Sequence, residues 1–396
     1  MTSTLAPVCE SPPLDMPVIR TLQLGMGWLP EQPGNGLDRV YHSLMQHFSD
    51  AGVEATGLVT GSPSVPEDSG GAVRAPAPST MTLPKRLWRF RTATLEVLDS
   101  RPIDLVASHF ALYAAPAIPA FIDRPFVVHF HGPWAQESQM EGDSWWTTAA
   151  KTVIERLVYN RADRFIVLSQ AFRNLLVQDY GLSPSRIRVV PGGVDVNRFN
   201  VAKSRDNARR SLGWPVDRPI VLSVRRLVRR VGLENLIAAM KEVRRQIPEA
   251  LLLIAGSGEL RNELEQRIDD ADLKHHVRLL GFVPDEDLPT AYRAADVSVV
   301  PTVALEGFGL VAVESLAAGT PVLVTPIGGL PEIVRDLSSD LIMPDGEVST
   351  LSAVLTKALS GSLRLPSDED CRQYAQRHFS WSTVARRVRA VYEDLL

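Results

Sequence analysis

Short apolar runs bounded by glycine and proline recur along this chain, and between them lie stretches with the 3.6-residue spacing of helices. Val18–Leu24 reads as a strand, Gly25 to Gly36 as a glycine-proline loop, and Leu37–Phe48 as a helix. The alternation continues with strands at Val53–Val59, Leu105–His109, Phe126–Phe130, Arg164–Leu168 and Ile187–Val190. Helices are expected near Leu83–Leu98, Trp145–Tyr159 and Ala171–Tyr180, with Gly61–Thr80 and Gln136–Asp143 as loops. A polar stretch, Asn197–Trp214, reads as a linker. The series then restarts with strands at Ile220–Val224, Leu251–Ala255, Val277–Phe282, Val297–Pro301 and Val322–Thr325. Helices between them are expected at Leu233–Arg245, Leu260–Asp270, Asp285–Ala295 and Leu310–Ala318. Alternating strands and helices imply parallel sheets covered on both faces, here in two consecutive doubly wound units. Ligands of such sheets bind at the carboxyl ends of strands.

Composition narrows the class. The 396 residues suit about two to three domains, and 45% hydrophobic with 22% charged residues is ordinary for a globular chain. Forty-six acidic against 42 basic residues give a net charge of −4, which offers no global attraction for nucleic acid. Two cysteines, Cys9 and Cys371, form neither a disulfide framework nor a zinc cluster, and a reducing compartment is the expectation. Residues 1–16 read as a flexible tail without a signal-peptide core, and no apolar run reaches about 18 residues.

Chemistry concentrates after strand ends. Glu306 and Glu314 are separated by seven residues across Gly307-Phe308-Gly309, which leads into a helix. A helix from Gly309 separates the carboxylates by roughly 12 Å, too far for a glycosidase acid pair, so they would touch different parts of one long ligand. Glu314 falls among apolar residues and needs donors there. The plain alternative is a capped helix with one glutamate paired to a structural arginine. Arg225, Arg226, Arg229 and Arg230 follow an apolar strand, where guanidinium groups would suit a diphosphate, or form a solvated basic loop. Gly34-Asn35-Gly36 could let backbone approach a phosphate, whereas Gly25 and Gly27 do not complete a dinucleotide fingerprint. Alternation puts His129 and His131 on one side of a segment, and His131 at its end could handle a proton. Asp285-Glu286-Asp287 and Asp368-Glu369-Asp370 read as helix starts, not metal sites. Lys85–Arg91 reads as a solvated basic helix face with its leucine and tryptophan packed inward, the alternative being a membrane surface contact.

Together these landmarks, with Pro191-Gly192-Gly193-Val194-Asp195, Ala255-Gly256-Ser257-Gly258 and Gly281-Phe282-Val283-Pro284, make the chain resemble the retaining GT-B glycosyltransferases with an E-x7-E motif, glycosyltransferase family 4. The resemblance covers nearly everything from Val18 onward. It implies two Rossmann-like domains facing across a cleft: residues 17–197 for the acceptor, joined by a last helix at 380–396, and residues 198–379 for the donor. It further implies that Glu306 meets the donor sugar beside the backbone amides of Phe308, Gly309 and Leu310, and that Glu314 holds the ribose. Val283 would meet the base, Gly256 would belong to the donor site, Gly34 and Gly36 would approach the diphosphate, and His131 would stand near the anomeric centre. Arg226 matches the family's Gly-Arg-Leu arginine directly, but the family lysine is replaced here by Val231 before Gly232. Arg230 is the substitute, and either Arg225 or Arg226 contacts the diphosphate.

The implied reaction is hexosyl transfer from a UDP-sugar, with UDP-glucose as first guess, to a glycan or lipid-linked saccharide. It proceeds with retention and with no metal or other cofactor. An epimerase or phosphorylase on the same fold, or a catalytically silent sugar-nucleotide binder, are the alternatives. No nucleic-acid partner is expected, the oligomeric state is left open, and the expected setting is the cytoplasm with peripheral contact at the inner membrane face.

Overall fold

A computed structural model of the chain describes residues 17–29, 31, 36–140 and 142–396. The tail 1–16, Cys9 and Gly34 lie outside the described residues. Two compact units result, one running to Gly192 and including Trp381–Leu396, the other spanning Gly193–Ser380.

The first unit holds seven parallel strands: β1 (Ile19–Gly27), β2 (Val53–Thr60), β3 (Val73–Ala77), β4 (Leu105–Ser108), β5 (Phe126–Phe130), β6 (Arg164–Val167) and β7 (Ile187–Val189). Their order is β3-β2-β1-β4-β5-β6-β7, with Gln23 of β1 opposite Gly57 on one side and Ala107 on the other. Because strands are covered on both faces, β4 and β5 are buried at every position. Leu22, Leu24, Val128 and Phe130 point to one core. Thr21, Gln23 and His129, at the alternate positions, point the other way, toward the C-terminal helix Trp381–Glu393. That helix is part of this unit. Arg389 donates through Nη1 to the carbonyls of Ala51 and Gly52 at 3.0 and 2.7 Å, and Tyr392 is fully buried.

The second unit is a five-stranded parallel sheet of β8 (Ile220–Val224), β9 (Leu251–Ala255), β10 (Val277–Gly281), β11 (Val297–Val300) and β12 (Val322–Val324), in the order β10-β9-β8-β11-β12. Both sheets are doubly wound as expected. In each, the winding reverses beside the first strand, between β1 and β4 and between β8 and β11, and such reversals open a crevice at the carboxyl ends.

Several local expectations are corrected. Gly25 and Gly27 belong to β1, and a Cβ on Gly25 would sit 2.8 Å from the Tyr41 ring, so the glycine serves packing. The expected loop Gly61–Thr80 contains β3, whose Pro76 is tolerated because β3 is an edge strand. Residues 136–140 of the second expected loop, Gln136–Asp143, belong to helix Trp134–Met140. The polar stretch Asn197–Trp214 is not a linker. It contains helix Arg205–Leu212, and Arg209 is buried there, bonded to Asp296 at 2.7 Å and to the carbonyls of Ala294, Val216 and Arg218. Its charge does not imply exposure, because these guanidinium donors are consumed largely by backbone acceptors. The helix preceding β11 begins at Leu288, and Asp285 pairs with Arg198. Asp368–Phe379 starts where expected, with Ser367 and Asp370 in a reciprocal cap. Trp88 is 65% exposed, against the expectation that it packs inward, because Leu87 and Phe90 take the core-facing positions. Among the described residues no helix is long and apolar enough to cross a membrane.

Candidate active site

In the first unit the polar residues gather at the β1/β4 reversal. His109 follows β4, and its ring stacks on His129 of β5 with centroids 4.1 Å apart. His109 Nδ1 lies 3.0 Å from His131 Nε2, and His109 Nε2 lies 3.2 Å from Gln23 Oε1. Donor and acceptor roles follow along this chain. Gln23 Nε2 donates to Thr21 Oγ1 at 3.0 Å and to Tyr392 OH at 3.2 Å, so its Oε1 is the acceptor for His109 Nε2–H. His109 Nδ1 then carries a lone pair and accepts a hydrogen bond from His131 Nε2–H. That leaves His131 Nδ1 as an acceptor, buried and without a protein partner. Tyr392 OH in turn stands 2.7 Å from His129 Nε2.

Burial keeps these rings neutral. It lowers His131 to about 4 and pushes His109 and His129 well below the ordinary histidine range, and for His109 and His129 the neighbouring histidines add to it. The rings stack rather than converge, and among the described residues no group of His, Cys, Asp or Glu is arranged to hold a metal ion. Asp38, near the start of helix Gly36–His47, fixes the end of β1 by accepting from Gly27 N at 2.9 Å, and burial raises its pKa. Gly36 is the first residue of that helix.

In the second unit the residues meet at the β8/β11 reversal. Arg225 leaves β8 and Glu306 sits in the loop after β11, and Arg225 Nη2 reaches Glu306 Oε2 at 2.5 Å and Thr302 Oγ1 at 3.1 Å. Thr302 also donates to the same carboxylate oxygen at 3.3 Å. Arg225 Nε is buried without a protein partner. Arg226 is exposed, because the chain turns at the strand end and successive side chains diverge. Arg229 pairs outward with Glu263 at 2.8 Å. Arg230 turns inward, its Nη1 donating to Leu305 O at 2.7 Å while its carbonyl accepts from Val303 N.

The Glu306 loop is held by unusual backbone. Leu305 has φ +48, in the left-handed region that leucine disfavours, and Arg230 clasps its carbonyl. Gly328 and Gly329 close over Glu306: a Cβ on Gly328 would lie 1.8 Å from Glu306 O, which accepts from Gly329 N at 3.0 Å. Gly256 plays the same part for Arg225, whose carbonyl would be 1.8 Å from a Cβ there. Its glycine is therefore required by loop packing. Gly309 has φ +95 and caps the helix Leu310–Ala317; its carbonyl accepts from Ala312 N at 2.9 Å, and the amides of Leu310 and Val311 precede any intrahelical acceptor. Phe308 is buried against Phe379. Glu314, on that helix and only 6% exposed, accepts from Tyr292 OH at 3.1 Å. Val283 follows β10 and is half-buried.

Each unit thus presents its own polar group at its own sheet reversal. Gln23, Thr302, Tyr292 and Leu305 were missed from sequence. Gln23 left a signal, a lone amide inside an apolar strand, whereas the left-handed Leu305 left none.

Residues 34–198 match the family described as Glycosyltransferase Family 4, and residues 204–378 match Glycosyl transferases group 1. A D-inositol 3-phosphate glycosyltransferase of Corynebacterium kroppenstedtii is 32% identical over 62% of this chain and 56% of its own length. A GDP-mannose-dependent alpha-(1-6)-phosphatidylinositol monomannoside mannosyltransferase of Mycolicibacterium smegmatis is 30% identical over 60% of this chain and 64% of its own. The alignments thus span under two thirds of these curated relatives. Among solved structures, sucrose-phosphate synthase of Thermosynechococcus elongatus superposes with a TM-score of 0.74 at 24% identity, covering 95% of this chain and 99% of that one. Anabaena HepE in complex with UDP and glucose gives 0.76 at 20% identity, covering 95% and 100%. With two doubly wound parallel sheets, and consecutive family matches over most of its length, the chain belongs to the GT-B glycosyltransferases of family 4 and group 1.

Proposed function

We propose that this protein transfers a hexosyl group from a UDP-sugar, UDP-glucose being the first to try, to a hydroxyl of a glycan or lipid-linked saccharide. The transfer retains anomeric configuration and uses no metal. The observation that carries this reading is the Arg225–Glu306 pair at the β8/β11 reversal. A guanidinium beside a carboxylate suits a ligand that offers an anion next to hydroxyls: the diphosphate faces Arg225 and the sugar hydroxyls face Glu306. Glu314 serves the ribose hydroxyls, with Tyr292 orienting its carboxylate. The helix start at Leu310 supplies backbone amides for phosphate or sugar oxygens.

The C1–O bond to the diphosphate breaks with its electron pair leaving on the phosphate oxygen, and Arg225 stabilises the charge that develops there. The acceptor oxygen forms the new bond on the same face of the sugar, and its proton passes to the departing phosphate. His131 Nδ1 accepts a hydrogen bond from a substrate hydroxyl. Two relatives are named for inositol phosphate and phosphatidylinositol mannoside, and the HepE structure holds UDP and glucose. These names support a nucleotide-sugar donor and a polyol or glycan hydroxyl as acceptor.

The test is a panel of UDP-, GDP- and ADP-sugars with candidate acceptors, with and without EDTA, followed by proton NMR of the product linkage. Transfer that survives EDTA, keeps the anomeric configuration and collapses in Glu306→Ala is the expected result. An inverted anomer, turnover lost in EDTA, or an unaffected Glu306→Ala overturns the mechanism. Tight UDP binding without product would mark a silent binder.

A further inference from the structure

The first unit carries a surface that its own fold leaves uncovered. From β3 through β6 the chain advances across the sheet in one direction, so right-handed crossovers put helices Leu83–Ser100 and Trp145–Arg161 on the same face. Both pack on the 3-10 segment Ala115–Phe121. Arg91 and Arg161 donate to the carbonyls of Pro116 and Phe121 at 2.9 and 3.1 Å, so the two helices flank the same segment.

Helix Trp145–Arg161 buries Glu155, Val158 and Tyr159 and turns apolar residues outward. Trp145 and Trp146 are 64% and 66% exposed and Val153 is 67% exposed, whereas a helix at a water surface shows charge on that side. On the neighbouring helix, exposed Trp88 stands between exposed Lys85 and Arg89. The segment Leu83–Leu95 around it has four basic residues and no acid.

We propose that this face docks the protein on an anionic lipid bilayer. Exposed indoles beside cations match the interfacial layer, where rings enter the headgroup region and Lys or Arg meets lipid phosphates. A second copy of this chain is a poorer occupant, since a two-fold contact sets the basic segment against its own like charge. Crossover helices run antiparallel to the strands, so the N-terminal ends that hold Trp145, Trp146 and, in the second turn of its helix, Trp88 lie toward the carboxyl edge where His131 sits. Docking therefore brings that edge to the lipid surface. The benefit to a lipid-linked acceptor rests on the proposed transfer reaction, while the docking itself does not.

Flotation of the full chain with vesicles of phosphatidylcholine alone, and with added phosphatidylglycerol, tests the proposal. Binding is expected only to the anionic vesicles, and high salt should release it. Both K85E/R89E and W145S/W146S should lower the bound fraction about tenfold or more, with unchanged circular dichroism and unchanged donor hydrolysis in solution. Wild-type protein that stays unbound at low salt overturns the proposal. So do equal binding by both variants, and a dimer in sedimentation that W145S/W146S dissociates. Lost docking with intact transfer to a soluble acceptor would leave the proposed reaction standing, and docking without transfer would do the reverse.

Discussion

His131 Nε2 lies 3.0 Å from His109 Nδ1, and the proton between them belongs to His131. The assignment comes from Gln23, whose Oε1 claims the only proton of His109. Gln23 is thereby a positioning residue for a ring that it does not touch. Gln23→Met should let His109 and His131 exchange tautomers, visible as a shifted 15N resonance of His131 Nδ1, and should lower kcat about tenfold, the worth of one misdirected buried hydrogen bond. Gln23→Glu keeps an acceptor for His109 and should preserve the His131 spectrum. Identical spectra for all three proteins would refute the relay.

The three neutral histidines also set a pH dependence. Their folded-state pKa values lie below the unfolded value of 6.5, His131 at about 4, so the unfolded chain binds more protons in that interval. Their contribution to stability is fully present above pH 6.5 and is lost as pH falls toward 4. Chemical denaturation from pH 7.5 to 4.5 should show this decline, and His109→Gln should flatten it.

Adjacent arginines should differ sharply. Arg225 contacts Glu306 and Thr302, whereas Arg226 points to solvent. Arg225→Ala should cost roughly a hundredfold or more in kcat, the usual loss on removing a donor from developing charge, and Arg225→Lys should recover little because lysine lacks the fork. Arg226→Ala should cost less than tenfold. Steady-state kinetics on the two alanine variants decide it, and a reversed ranking would assign the site to Arg226.

The backbone around Glu306 offers a stability test. Gly328→Ala forces a methyl against Glu306 O and a side chain onto φ +58, and should destabilise the protein by more than about 1 kcal/mol with loss of activity. Leu305→Gly removes the left-handed penalty and should leave the melting temperature unchanged or higher, whereas Leu305→Val should lower it. Differential scanning calorimetry on the three variants measures both claims.

The strands were legible in the chain because a strand buried on both faces must be a short apolar run. Phe126–Phe130, Ile220–Val224 and Leu251–Ala255 match their expected limits. β3 escaped because an edge strand can carry Pro76 and resemble a loop. Helix Arg205–Leu212 escaped because its charge suggested exposure, though Arg209 spends its donors on buried carbonyls. Among the candidate site residues, Glu306, Glu314 and His131 stand out in the sequence by spacing and by their places after strands. Their partners Thr302, Tyr292 and Gln23 do not.

By itself the sequence determined the alternation of strand and helix, the restart of that series, and the collection of charge and histidine after strand ends. These are local properties, since burial on two faces and helical periodicity act over a few residues. Only the tertiary structure decided that Arg225 rather than Arg226 meets Glu306, that His109 stands between Gln23 and His131, and that Trp88 faces outward. Arg225 and Glu306 stand 81 positions apart, and Gln23 and His109 stand 86 apart. Each pair meets because the winding reverses between two adjacent strands, and strand order is set by the packing of the whole sheet.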